Sequence, residues 1–404
     1  MNVRRSAVVL AAVAVIGAAA PAAAAPSPSP SRPALPSALY GDGDPQYDGV
    51  WRQSLALLAQ HTVGVEPPKP AVDWLAGQQC ADGSFAPYRA DTTKACDAKT
   101  TVDTNQTAAA VQALAALGGH DDVTEKAVGW LKSVQNEDGG WGYTAGGASD
   151  ANSTSVVIGA LAAVGEKPAG VEKDGASPYD ALLKLALPCE GDGAGAFAFQ
   201  PDEKGELVAN ADATAAGVLG SLGKGLAAGP GKGAKAQAGC ERAETPEQAA
   251  ANGAAHLADA LAKDGHLTSA LAGAEDQPDY GNTADAVVAL AAQGAAEPAR
   301  ESLAWLEENA AGWAAQSGPA AYAQLILAAH ATGADPRDFG GTDLVRKLTA
   351  TGPAAAGATP QAKEKEKKDE SDSGFGVWWF VGVCLVAGVG IGFLISGRAK
   401  RQQP

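Results

Sequence analysis

Two kinds of apolar pattern alternate along the chain. The first is a helical stripe centred on Trp-Leu. Ala71-Val72-Asp73-Trp74-Leu75 is followed by Gln79 and then by Asp82-Gly83-Ser84-Phe85. At the same offsets, Ala127-Val128-Gly129-Trp130-Leu131 is followed by Gln135 and by Asp138-Gly139-Gly140-Trp141. A degenerate third copy reads Ser302-Leu303-Ala304-Trp305-Leu306, with Trp313 further on. One-sided apolar stripes of this kind predict amphipathic helices, near 69–79, 123–135, 177–187, 246–263, 297–309 and 341–350.

The second pattern is Ala, Val and Leu on nearly every face, behind a polar start. Asp103-Thr104-Asn105-Gln106-Thr107 opens Ala108 to Leu117, which ends at Gly118-Gly119. Asp150-Ala151-Asn152-Ser153-Thr154 opens Ser155 to Val164, which ends at Gly165. Weaker copies begin at Asn210-Ala211-Asp212-Ala213-Thr214 and Asp279-Tyr280-Gly281-Asn282-Thr283, and two more helices fit 48–60 and 319–332. A helix apolar all round is buried on both sides. Asp, Asn or Thr before it and Gly after it are helix punctuation. Self-similarity at fixed offsets marks a repeat array. Six buried helices with six partners predict an all-α fold, an α6/α6 toroid over 45–350. A linear helical solenoid is the alternative, and two-sided burial favours closure.

The run Lys126-Ala127, Trp130-Leu131, Gln135, Gly139 and Trp141 resembles the QW repeat of squalene and hopene cyclases. The same repeat marks the wider group with protein prenyltransferases and the cobalamin carriers. It is nearly matched at 71–85, with Phe85 in place of Trp141. The resemblance covers about 45–350 and implies the α/α toroid. Trp74, Gln79, Trp130, Gln135, Gly139 and Trp141 are its structural residues: the Gln bonds the start of a following turn and the aromatic packs on its neighbour. That work is structural, so the motif supports a fold and leaves function open.

The resemblance also implies chemistry to look for. Terpene cyclases of the group carry an Asp-x-Asp-Asp acid and aromatic cavity walls. The chain has no such motif, and aromatics make up 5% of it. Prenyltransferases hold zinc with an Asp-x-Cys pair. The matching positions are Asp103-x-Asn105 and Asp150-x-Asn152, where Asn cannot replace a thiolate. No metal and no cofactor is expected.

The two ends change the picture. Met1-Asn2-Val3-Arg4-Arg5, an uncharged run from Ala7 to Ala20 and the small residues Ala22 to Ala25 read as a secretory signal over 1–25. A Ser/Pro/Ala-rich spacer follows at 26–44. Thr351 to Ser373 turns to mixed Lys and Glu without an apolar face, a solvated stalk. Residues 374–397 are long and apolar enough for a transmembrane helix. Trp378 and Trp379 stand at one end and Arg398, Lys400 and Arg401 in the tail, 398–404, at the other, which puts that tail in the cytoplasm. The body is therefore expected outside the cell membrane, on a single-pass anchor.

Charge and cysteines fit that compartment. The net charge of -16 argues against nucleic acid as a partner. Cys384 falls in the membrane segment; Cys80, Cys96, Cys189 and Cys240 remain for an oxidising environment. Four cysteines allow three pairings, and proximity favours Cys80–Cys96 and Cys189–Cys240.

In a toroid the inner helices run the same way, so their polar starts ring one mouth. Helix capping accounts for these residue types. The functional alternative is a ligand-binding rim of Asp103, Asn105, Asp150, Asn152, Asp212 and Asp279, with Asp103 and Asp150 as weak acid–base candidates. Three functions stay open. One is an anchored body that captures a small molecule, with a corrinoid as one candidate, for transfer to a transporter. The second is an enzyme of the terpenoid cyclase and prenyltransferase class. The third is a structural or adhesion protein with an envelope protein as partner.

Overall fold

The computed structural model describes residues 35–232, 240–271 and 277–353. The expected signal, membrane segment and cytoplasmic tail lie outside them, as do residues 26–34 of the spacer and most of the stalk. Among the described residues no helix is long and apolar enough to cross a membrane.

Thirteen α-helices carry the fold among the described residues. They are α1 Gly49–Thr62, α2 Lys69–Gly77, α3 Thr104–Leu117, α4 Asp121–Ser133, α5 Ala151–Ala163, α6 Pro178–Leu185 and α7 Ala211–Ser221, then α8 Pro246–Leu261, α9 Tyr280–Gln293, α10 Ala296–Asn309, α11 Ala311–Ser317, α12 Pro319–Thr332 and α13 Leu344–Ala350. A two-residue antiparallel pair, β1 Leu267–Thr268 with β2 Pro278–Asp279, is the only sheet among them.

The apolar helices form a closed ring. α1 packs on α3, α3 on α5, α5 on α7, α7 on α9, α9 on α12, and α12 returns to α1. Each amphipathic helix fills the outer groove between two of these: α2 between α1 and α3, α4 between α3 and α5, and so on to α13 between α12 and α1. The toroid follows from burial on both sides. Eleven of the fourteen residues of α12 are buried, and eleven of the thirteen of α5, whereas α10 buries only Ala299, Ser302, Leu303 and Leu306.

Buried polar side chains seal the seam where the chain's first and last described elements meet. The Tyr40 hydroxyl donates to Gln60 Oε1 at 2.7 Å, and Gln60 Nε2 donates to Thr349 Oγ1 at 3.1 Å. Gly41 N donates to the Thr351 carbonyl at 2.8 Å. Burial pushes the Tyr40 phenol up to about 12, so it stays a neutral donor.

The repeat residues act as stitches between neighbouring outer helices. Gln79 Nε2 donates to Gly83 O at 3.1 Å and to Val123 O, in the first turn of α4, at 2.8 Å. Gln135 Nε2 donates to Gly139 O at 2.8 Å and Val171 O at 3.1 Å. Trp141 is fully buried, and its Nε1 donates to Leu131 O at 2.7 Å, so it is pinned by a hydrogen bond as well as by packing. Trp130 is buried, and Trp74 is half-buried and stacks on Tyr88. Gly139 has φ +90°, and a Cβ there would stand 2.2 Å from the Ser177 carbonyl oxygen. Only glycine lets the turn reach the next outer helix.

One element departs from the paired pattern. Between α10 and α12 the chain inserts α11, where the first two repeats place an Asp-Gly turn. The sequence there is Ala310-Ala311-Gly312-Trp313-Ala314-Ala315. It has no Asp to start a turn, so good helix formers continue the helix. Trp313 stacks on Tyr280, 5.6 Å between ring centres, and Tyr280 on Trp305 at 5.3 Å. The two disulfides are Cys80–Cys96 and Cys189–Cys240, the pairing favoured by proximity.

Candidate functional site

The polar starts of the inner helices do two jobs at once. Each N-cap side chain accepts a backbone N–H three residues on. Asp103 takes Gln106 N at 2.7 Å, Asp150 takes Ser153 N at 2.6 Å, Asn210 takes Ala213 N at 2.8 Å and Asp279 takes Asn282 N at 3.0 Å. Each following Thr accepts from the loop ahead of its helix. Thr107 Oγ1 takes Phe85 N at 3.0 Å, Thr154 takes Trp141 N at 3.1 Å, Thr214 takes Phe197 N at 3.0 Å and Thr283 takes Leu267 N at 3.0 Å. The fourfold recurrence fixes all four helix starts at one end of the ring.

That end opens into a cavity of about 1200 Å³. Its wall includes residues from the first turns of all six inner helices, which run parallel around it. Asp103, Asn105, Asn152, Asp212 and Asp279 line it, together with Asn210 and Asn282. Asp150 does not line it. Its carboxylate is turned onto α5, where Ser153 N and the Ser153 hydroxyl, at 2.8 Å, occupy it.

The cavity reaches further down the bore than the rim. Asp285, Gln112, Ser155 and Gln324 line it below the polar starts. The sequence carries a signal for these: they are the polar residues in the interior of helices that are otherwise Ala, Val and Leu. A polar side chain at a two-sided buried position needs a partner or a role.

The far end of the ring is crossed by the glycine-rich strap 223–232, which begins where α7 stops short. Leu226 N donates to Gln112 Oε1 on α3 at 2.8 Å, and Gly231 N to the Ala291 carbonyl on α9 at 2.8 Å. Lys224 lines the cavity floor and its Nζ donates to the Ala292 carbonyl at 2.9 Å. Gly225 meets the ring where a Cβ would lie 2.3 Å from Gln112 Oε1. The cavity is thus open at the helix N-termini and floored at their C-termini. The mouth is overhung by the loop 86–101, tied back by Cys80–Cys96 and bearing Tyr88, Arg89 and Lys99.

Burial pushes three carboxyls of this cavity, Asp285, Asp212 and Asp103, up towards neutrality. Asp285 is raised to about 7, chiefly by burial and with the charges of Asp212 and Asp279 helping, against the Gln324 amide, which lowers it. Burial likewise raises Asp212 to about 6, opposed by Asn152 and aided by Asp279. Burial raises Asp103 to about 7, while Gln106 N and Tyr143 stabilise its charged form. Asp285 and Asp212 touch the cavity space but are otherwise deep in protein, which is why desolvation dominates. No group of three or more His, Cys, Asp or Glu among the described residues is placed to hold a metal ion.

Residues 52–187 match the prenyltransferase alpha-alpha toroid domain. No curated protein matches the chain. Among solved structures, the ent-copalyl diphosphate synthase from Streptomyces platensis is 17% identical with a TM-score of 0.47, over 70% of this chain and 50% of that one. The type II terpene cyclase MstE from Scytonema, complexed with geranylgeranyl dihydroxybenzoate, is 12% identical with a TM-score of 0.40, over 73% of this chain and 72% of that one. A protein from Actinoplanes is 16% identical with a TM-score of 0.30, over 66% of this chain and 82% of that one. The chain spans half the length of the Streptomyces enzyme.

Proposed function

We propose that the chain is a receptacle that binds a small molecule in the bore of its toroid, displayed outside the membrane on the C-terminal anchor expected from the sequence. One observation carries the reading: a floored cavity of about 1200 Å³ lined by Asn105, Gln106 and Asn152, each of which carries a buried side-chain oxygen without a protein partner. Buried polar groups are nearly always hydrogen-bonded, so a cluster of exceptions asks for a ligand or ordered water. The volume suits a drug-sized molecule or larger. The two disulfides and the signal-like N-terminus support an extracytoplasmic setting. An open cavity is more than a solid adhesion knob needs, which weighs against a purely structural role. The test is mass spectrometry of the full-length chain purified from its native membrane. A small molecule retained in stoichiometric amount is expected; nothing retained by the unmodified chain would overturn the reading.

A second reading, an acid-initiated enzyme, is favoured by one observation: Asp285 faces the cavity with its carboxyl raised to about 7. A neutral carboxylic acid in a dry pocket is a proton donor at working pH. Turnover of a bound compound that disappears in Asp285→Asn would establish it. Binding without turnover leaves the receptacle.

A further inference from the structure

The loop over the cavity mouth is held unevenly. It leaves the ring at Phe85 and rejoins it at Asp103, and the two pair across its base, Asp103 N donating to Phe85 O at 3.3 Å. No helix or strand lies between them. The near half has several ties to the ring. Val50 N donates to Pro87 O at 2.8 Å, and Arg89 N to Gln78 Oε1 at 2.6 Å. The Arg89 guanidinium reaches both ways: Nη1 donates to Gln79 O on the ring at 2.7 Å, and Nη2 to Thr92 O at 3.2 Å and Lys94 O at 2.6 Å on the loop.

The far half has one tie. From Ala95 to Thr101, among the described residues, hydrogen bonds run only between Asp97, Lys99 and Thr100. What joins this stretch to the ring is the bond from Cys96 to Cys80. Cys80 is fixed on the turn of the first repeat, where its N–H donates to Ser84 O at 2.8 Å. The stretch therefore has pivots at Lys94, held by Arg89, and at Val102, packed on the core, with a single latch between them. Ala95, Asp97, Lys99, Thr100 and Thr101 all line the cavity, so the least-tied part of the loop is also a wall of the mouth. The other disulfide is placed differently. Cys189–Cys240 encloses α7, which packs on α5 and α9 and is held by the ring whether or not that bond is formed.

We propose that residues 95–101 are a lid on the mouth of the bore and that the Cys80–Cys96 disulfide is its latch. With the bond formed, the lid screens the bore and a bound molecule exchanges slowly. A dithiol reductant opens it: the S–S bond breaks, Cys80 and Cys96 take up two electrons and two protons as thiols, and the dithiol closes to its own disulfide. Segments with few ties to the core are where ligand-gating motions are found. This inference rests on the receptacle reading and adds control of access to it.

Access is measured in the full-length chain, in detergent, with Ala216→Cys as reporter, since Ala216 is half-buried on α7 and lines the bore. Labelling by fluorescein-5-maleimide is followed by peptide mass spectrometry, which separates the reporter from Cys384. Labelling at least tenfold faster is expected once Cys80→Ser and Cys96→Ser are added. Hydrogen exchange of the same proteins should quicken at 95–101 while α3 and α5 stay protected, as they do if the ring is intact. The unmodified chain gives a check that no misfolded variant can spoil. Dithiothreitol is expected to speed tryptic cleavage after Lys99 at least tenfold and to leave cleavage after Lys173, an exposed site outside both disulfide loops, unchanged. Equal labelling with and without the latch, whether fast or slow, or cleavage after Lys99 that ignores dithiothreitol, would overturn the proposal. A chain that opens on reduction yet carries no small molecule from its native membrane would keep the lid and sink the receptacle. One that carries a molecule and releases it equally fast in both redox states would keep the receptacle and sink the lid.

Discussion

At the scale of single residues, the distinctive chemistry is a set of carboxyls that folding has moved towards neutrality. A carboxyl whose folded pKa is raised binds its proton more tightly in the folded state than in the unfolded chain. Stability is therefore complete below about pH 4 and declines as pH rises towards the folded value, levelling off above it. For Asp285 and Asp103, raised to about 7, the window runs from about pH 4 to 7; for Asp212 and Asp150, raised to about 6, it closes earlier. His330 works the other way, since burial lowers its pKa and favours the neutral ring at higher pH. Four acids outweigh one histidine, so the melting temperature falls between pH 5 and pH 8. Asp285→Asn removes one of the four. We expect it to raise the midpoint by about 2–4 °C at pH 8, with little change at pH 5. Melting curves of the two proteins at both pH values decide this; parallel curves would show that Asp285 does not titrate in the window.

At the scale of elements, the chain is held by stitches that each span two outer helices. Gln135 satisfies Gly139 O in its own turn and Val171 O ahead of α6. Gln135→Leu leaves both carbonyls unpaired in a buried place, at a cost of about 1–3 kcal/mol. Gly139→Ala forces a Cβ into the Ser177 carbonyl at positive φ and should cost more, about 3 kcal/mol or above. Urea unfolding measures both, and the order of the two losses is the sharper check. These elements were readable in advance because their residues interact locally. The Gln bond to its own turn, the Asp-Gly turn and the Asp-to-Thr helix starts bond within a few residues or to the loop ahead, and the second Gln bond, to Val123 or Val171, recurs at the same place in the next repeat. The insertion of α11 was not, since Ala-rich chain continues a helix or turns according to what Trp313 finds to pack on, and that is Tyr280, distant in sequence.

At the scale of the whole molecule, one seam closes the ring. Tyr40, Gln60 and Thr349 join segments separated by roughly 300 positions of chain, and α12 meets α1 beside them. Tyr40 is fully buried. Tyr40→Ala should cost about 3–5 kcal/mol and concentrate its damage there. Hydrogen exchange is expected to quicken in α1 and α13 while α5 and α7, across the ring, stay protected. Uniform acceleration would mean that the ring opens as one unit instead of at a seam.

The sequence by itself determined the alternation of buried and amphipathic helices, the repeat stitches and the favoured disulfide pairing, because periodicity, short-range hydrogen bonds and loop length carry that information locally. It also placed Asp103, Asn105, Asn152, Asp212 and Asp279 at helix starts that share one mouth. Only the tertiary structure decided that Asp150 turns away to cap its helix, that Asp285 and Gln324 reach the same space from different helices, and that a glycine-rich strap floors the bore. Those facts depend on which faces of six parallel helices meet around an axis. A side chain's direction relative to that axis is set by how the ring closes, a long-range condition that no local spacing encodes.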